Sequence, residues 1–262
     1  MSNHSPSRHL DGSAGDVDYS QIAFPYPSYR QPDPRIAAHI VAALGKARTV
    51  LNVGAGAGSY EPLDRDVTAV EPSASMRNQR PIHLPVAIDA IAENLPFPDG
   101  HFDASMATFT VHQWSDLDRG LREMRRVARG PVVILSCDST ALDRFWLHEY
   151  VPEVVAVEAA RYPAIDRLTS ALGSKTEVLS VPIPLDCRDG FNEAYYGRPE
   201  MLLDAGARLA CSGWSFVESY IVERFVATLK RDLESGTWDA RFGHLRTQSE
   251  FDGPLRLVVA HQ

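Results

Sequence analysis

Apolar positions along this chain fall into two kinds of pattern, short near-continuous runs and stripes at three-to-four spacing, that alternate from one end to the other. The runs at 49–53, 67–70, 86–88, 102–109 and 131–135 predict five strands, the first apolar almost throughout, as in a strand covered on both faces. Between them, Ile36, Ile40, Val41 and Leu44 predict a helix opened by Asp33 and Pro34 and ended by Gly45. Residues 73–79 read as a short helix. Leu117, Leu121, Met124 and Val127 share one face of another, capped by Ser115 and Asp116 and closed by Gly130. Residues 139–175 predict two or three more helices, 178–181 a strand, 186–190 a turn cluster, 218–233 a long helix and 255–259 a last strand. Strands alternating with helices predict an α/β fold.

The first run stops abruptly in Gly54, Gly56 and Gly58, which let the backbone turn sharply and approach a ligand without a Cβ in the way. The second run ends in Glu71, at the offset where a carboxylate on the neighbouring strand tip holds ribose hydroxyls. Together they point to a nucleotide-like ligand. Between Gly58 and Val67 lies Pro62, so any helix there spans one or two turns at most.

The stretches Val50-Leu-Asn-Val-Gly-Ala-Gly-Ala-Gly-Ser59, Ala69-Val-Glu-Pro-Ser73, Ala92-Glu-Asn-Leu-Pro-Phe-Pro-Asp-Gly-His-Phe-Asp103 and Val111-His-Gln-Trp114 occur in an order that resembles class I S-adenosylmethionine-dependent methyltransferases, in their small-molecule "type 11" branch. The resemblance covers roughly residues 19–137 and implies a Rossmann-like, doubly wound, seven-stranded, mostly parallel sheet with an antiparallel last strand. It implies S-adenosylmethionine as cofactor and S-adenosylhomocysteine as product. The implied cofactor contacts are Gly54, Ala55, Gly56, Glu71, Pro72, Met76, Thr108 and Phe109. Ala92 and Glu93 fall where the family meets adenine; because Ile91 stands where an Asp is common, the adenine amine is left to Glu93, Asp89 or water. Tyr29 and Arg30 fall in a segment that closes over the methionine end in the family, and a segment with so many aromatics also suits plain surface packing. The expected layout is a disordered leader at 1–18, a cofactor-binding core at 19–138, a helical substrate cap at 139–215 inserted after the fifth strand, and completion of the core sheet at 216–262.

Composition narrows the partners. With 26 basic and 34 acidic residues in 262, the net charge of −8 offers no basic field for nucleic acid. Cys137, Cys187 and Cys211 are odd in number and without C-x-x-C pairing, and 148–152 is not a zinc helix motif, so no metal is expected. With neither an apolar span of about 18 residues nor a signal-like start, a cytoplasmic protein is expected, as monomer or homodimer. The five arginines on the helix at 117–127 and just beyond read as a solvated face.

Methyl transfer from a sulfonium rests mainly on alignment and desolvation, and a base helps where the acceptor is a hydroxyl. His112, just past the fourth strand beside the glycine loop, is the candidate catalytic residue; its other reading is a histidine packed beside Trp114. His148 and Glu149 line a pocket or lie on the surface, and Cys137 and Asp138 touch substrate or form a strand-end turn. The expected function is transfer of a methyl group to a small molecule, at oxygen rather than nitrogen or carbon, in secondary or cofactor metabolism. A non-catalytic cofactor-binding regulator and a nicotinamide-dependent oxidoreductase are the alternatives.

Overall fold

The computed structural model describes residues 26–262, with side chains from Ser28 onward. The expected leader at 1–18 and the side chains of Tyr19, Phe24 and Tyr26 lie outside the described residues. Strands β1 (Thr49–Val53), β2 (Asp66–Val70), β3 (Ala104–Thr108) and β4 (Val132–Cys137) are parallel, and all point their carboxyl ends to one edge. β8 (Leu255–Ala260) runs antiparallel between β4 and β5 (Thr176–Ser180), which gives the order β2-β1-β3-β4-β8-β5. A small ribbon of β6 (Ile183–Pro184) and β7 (Glu250–Phe251) stands apart from it.

Among the described residues the sheet has six strands where seven were expected. The segment at 86–88 makes only one parallel bridge, Ile88 to Val70, with the Ile88 N–H donating to the Ala69 carbonyl and the Ile88 carbonyl accepting from the Glu71 N–H. Only Ala87 of this run is buried, against Ala55 and Ala69, while Val86 is 90% and Ile88 41% exposed, so one small side chain is all the run buries and the pairing stops at a single bridge.

Alternate residues of each strand feed two cores, as the pleat demands. Val50, Met106, Val133 and Leu135 face α2 (Pro34–Leu44) through Ile36, Ile40 and Leu44. Leu51, Val53, Ala107 and Ile134 face α4 (Leu117–Val127) and α7 (Ile165–Leu172) through Leu121, Met124 and Leu168. Asp33 caps α2 by accepting from Arg35 N–H at 2.9 Å, and Asp116 caps α4 by accepting from Arg119 N–H at 3.0 Å. The arginine face of α4 is not wholly solvated, since Arg126 donates to the carbonyls of Leu95 and Phe97 and pairs with Glu123.

The expected cap at 139–215 divides: β5 belongs to the central sheet and α7 packs beneath it. What covers the carboxyl edge is α6 (Pro152–Arg161), the turns from Asp189 to Trp214, and α9 (Ser219–Glu234), closed by Phe225 and Trp238. The sheet completion expected from 216 therefore carries α9 and only one central strand, β8.

No helix forms between Gly58 and β2. Gly54, Gly56, Gly58 and Tyr60 all have left-handed backbone, with φ of 68°, 51°, 95° and 64°, which breaks a helical turn before it begins. A buried ion pair holds the loop instead. Arg80 Nη2 donates to both oxygens of Glu61 at 2.9 and 2.8 Å, with side chains 3% and 1% exposed, and Asn52 on β1 donates to the same carboxylate at 3.0 Å. Arg80 Nη1 also reaches the Gly56 carbonyl at 3.3 Å. Arg80→Met should therefore lower stability by about 3–5 kcal/mol, because Glu61 is left charged and uncompensated, and lower the melting temperature by roughly 10 °C. Calorimetric melting of the variant checks this, and a change under about 2 °C would mean the pair carries no such role.

Candidate active site

Three parallel strand ends build a cleft of about 510 Å³. From β1 come Gly54, Ala55 and Gly56; from β2, Glu71; from β3, Thr108, Phe109 and Thr110. Glu71 Oε2 accepts Gly56 N–H and Oε1 accepts Ser73 N–H, both at 2.8 Å, so this one carboxylate ties the glycine loop to the end of β2. Burial pushes its carboxyl above the usual carboxylate range, against the pull of those two amides. The glycine that the cleft most needs is Gly54, where a Cβ would fall 2.2 Å from Thr110 Oγ1; at Gly56 it would meet only Met76 Cε at 3.3 Å.

Arg30 lies over the Phe109 ring at 5.3 Å, and its Nε donates to Asp189 Oδ1 at 2.5 Å. The other Asp189 oxygen accepts Tyr60 O–H at 2.9 Å. Phe109 itself has φ 53°, a left-handed conformation for a bulky residue, fixed by its N–H donating to the Leu135 carbonyl and by rings of Tyr60 and Phe191 on either side.

Behind Phe109 a second chamber shares Arg30, Phe109 and Gln113 with the cleft. His112, on the 3-10 turn Val111–Gln113, borders it with its ring 4.5 Å from that of Tyr162. Glu158 on α6 and Glu193 face the same space, beside Asn192, which donates to Glu158 Oε1 at 3.0 Å. Burial pushes both carboxyls up, and repulsion from Glu158 adds to the rise of Glu193, to about 8. Cys137 and Cys211 also line it, and burial pushes both thiols well up, which leaves them inert.

Of the residues expected from sequence, the cleft wall unites Arg30, Gly54, Ala55, Gly56, Glu71, Met76, Thr108 and Phe109, while His112 borders the chamber. Tyr29 is not in either wall; its O–H donates to Asp204 at 2.8 Å and its ring packs against Gly206. Pro72, Ala92 and Glu93 are also outside the wall. Glu93 is spent on the start of α4, accepting from Ser115 O–H and Asp116 N–H at 2.9 and 3.0 Å. Asp89 lies 3.6 Å from Arg77. His148 and Glu149 are exposed, and Asp138 closes a turn by accepting from Thr140. Gln113 stands in a motif stretch and Thr110 just before it, neither with a role assigned from sequence, and Tyr162, Glu158 and Glu193 carry no motif signal. One signal was there: Glu158 continues the buried face of Val151, Val154 and Val155, at a position where an apolar residue belongs.

A glycine cradle at one strand tip and a carboxylate at the next define an α/β protein that binds a nucleoside-type cofactor at the carboxyl edge of its sheet. The methyltransferase-domain family model matches residues 51–134. A solved structure from Anabaena variabilis, described as a methyltransferase of an antibiotic biosynthesis pathway, is 30% identical, covers 89% of this chain and 99% of its own, and superposes with a TM-score of 0.82. The uncharacterised methyltransferase YcgJ of Bacillus subtilis is 30% identical over 39% of this chain and 45% of its own. A malonyl-[acyl-carrier protein] O-methyltransferase of Pseudescherichia vulneris is 32% identical over 42% and 47%. The chain thus spans about half the length of the curated relatives it matches. It belongs to the class I S-adenosylmethionine-dependent methyltransferases. The residues present fit that family's cofactor: a desolvated carboxylate at Glu71 suits two hydroxyl donors, and Gly54, Ala55 and Gly56 bring backbone without bulky side chains to the same wall.

Two outcomes follow from this geometry. Glu71→Ala should weaken S-adenosylhomocysteine binding by about 1.5–3 kcal/mol in calorimetry, with no measurable NAD binding in either protein; unchanged affinity would move the ribose contact elsewhere. The second concerns pH. A carboxyl whose folded pKa is raised keeps its proton when the unfolded chain has lost it, so wild-type stability falls as pH rises from the ordinary carboxylate range to about 8. Glu193→Gln should accordingly melt higher than wild type at pH 8.5, by about 3 °C or more, and lose that advantage near pH 4. A difference independent of pH would show that Glu193 is ionised freely.

Proposed function

We propose that the protein transfers the methyl group of S-adenosylmethionine to a hydroxyl oxygen of a small molecule held in the chamber behind Phe109. The observation that carries this reading is the shared wall: the cleft and the chamber meet at Arg30, Phe109 and Gln113, with His112 beside them. When bound, the cofactor supplies an electrophilic methyl group. In this reading Glu71 takes the ribose hydroxyls, the glycine loop and Met76 border the nucleoside, and Arg30 takes the methionine carboxylate. Phe109 and Phe191 exclude water from the reacting atoms. His112 removes the acceptor's proton. The Tyr29 contribution reduces to holding Arg30's segment against Asp204.

The O-methyltransferase among the relatives supports oxygen as the atom that receives the methyl group. The antibiotic-pathway description of the Anabaena protein supports a place in secondary metabolism. Among the described residues no helix is long and apolar enough to cross a membrane, and no His, Cys, Asp and Glu cluster suits a metal. The proposal includes a cytoplasmic protein without a nucleic-acid partner, working as monomer or homodimer.

With an acceptor in hand, His112→Ala should lower kcat by about two orders of magnitude while S-adenosylhomocysteine affinity stays within about twofold, because the lost interaction is made in the transition state. The wild-type rate should rise with pH through a limb near 6–7 that the variant lacks. A fall of less than about fivefold with the limb intact would leave His112 as chamber wall only.

A further inference from the structure

The chamber behind Phe109 contains more negative charge than its neighbours answer. Glu193 is 4% exposed and faces the chamber, yet among the described residues the only hydrogen-bond donor to its carboxyl is its own backbone N–H. Glu158 faces the same space and is met by Asn192 and the Gly213 N–H. The cations within electrostatic reach are engaged with other groups. Arg30 is paired with Asp189 and lies over Phe109, and Arg161 donates to Ser212 Oγ at 2.8 Å with its guanidinium over the Phe216 ring. The remaining groups facing the pair are Tyr162, Cys137, Cys211 and His112, of which only the His112 ring can carry positive charge.

Two desolvated carboxyls facing one cavity cannot both ionise cheaply, so the pair holds a proton more readily than separate surface carboxyls do. A ligand ammonium does the same work better: it brings one positive charge to the same place and adds three N–H donors for oxygens that have few. The walls flanking this end are the rings of Phe109, Tyr162 and Phe191, which suit an apolar or aromatic body attached to that ammonium.

We propose that the acceptor is a small molecule carrying a protonated amine, anchored by Glu158 and Glu193, with its methyl-accepting atom at the other end against Phe109. This deepens the methyl-transfer reading and rests on it. Occupation exchanges one proton for one ammonium: N–H···O bonds form to both carboxylates, and the proton held on the pair leaves to solvent. The amine is an anchor, not a participant, so Glu158 and Glu193 are positioning residues.

The test uses the full chain saturated with S-adenosylhomocysteine and two matched probes, tyramine and its neutral isostere 4-(2-hydroxyethyl)phenol, titrated calorimetrically at pH 7 in buffers of different ionisation enthalpy. Tyramine should bind at least about tenfold tighter than the alcohol, the scale of a charge-assisted contact, and should release close to one proton per molecule bound. Glu193→Gln should lose both the preference and the proton release while S-adenosylhomocysteine affinity stays within about twofold, and Glu158→Gln provides the same readout from the other side. Equal affinity for the two probes, absence of binding for both at millimolar concentration, or a preference that survives in both variants would overturn the proposal. The preceding S-adenosylhomocysteine titration separates this from failure of the methyl-transfer reading itself: if that ligand does not bind, the earlier reading falls, whatever the probes do.

Discussion

The ion pair between Arg30 and Asp189 is the constraint on which the two cavities depend. It joins the segment ahead of α2 to the covering turns, and its guanidinium lies on Phe109, the residue that borders both spaces. Asp189 is 2% exposed, and its second oxygen takes the Tyr60 hydroxyl from the glycine-loop side. One carboxylate thus connects the entry segment, the loop and the cover. A buried pair of this kind contributes less net stability than its short distance suggests, because both charges are desolvated, and its value lies in fixing one arrangement. Here the arrangement fixed is a left-handed Phe109 with aromatic neighbours on both sides.

The same economy appears on the other side of the cleft. Glu71 faces the ligand position while accepting from Gly56 and Ser73, so the carboxylate proposed to read the ribose also sets the shape of the loop. Glu61, Arg80 and Asn52 hold the segment where a helix was expected at most briefly. The loop is therefore supported by charge and hydrogen bonding rather than by a helix packed on the sheet. That suits a cofactor without phosphate groups, which gains little from a helix dipole.

Local patterns carried the sequence reading as far as local physics reaches. Asp33, Pro34 and the Ile36/Ile40/Leu44 stripe specify α2 on their own, and the apolar runs of β1, β3 and β4 specify buried strands because each side of the sheet is covered. The run at 86–88 stops at one bridge because Ala87 alone is buried there, too small a face to hold a longer pairing, while Val86 and Ile88 stay exposed. The cleft was legible through Gly54, Gly56 and Glu71, whose chemistry is set by chain-adjacent geometry. The chamber was not. Glu158 and Glu193 lie far apart in sequence, on a helix and a turn that meet only in the folded cover, and no spacing rule joins them. Glu93 and Tyr29 lie outside the cleft wall for the converse reason: a motif position says where a side chain starts, whereas Ser115, Asp116 and Asp204 decide where it goes.

Cofactor and acceptor positions meet in one claim, that the sulfur of the cofactor faces the chamber of Glu158 and Glu193 across Phe109. A crystal structure of the full chain with S-adenosylhomocysteine tests it most directly. The account predicts the ribose hydroxyls on Glu71, the homocysteine carboxylate at Arg30, and the sulfur directed past Phe109 into the chamber that His112 borders. A ligand bound elsewhere, or one whose sulfur points away from that chamber, would contradict it.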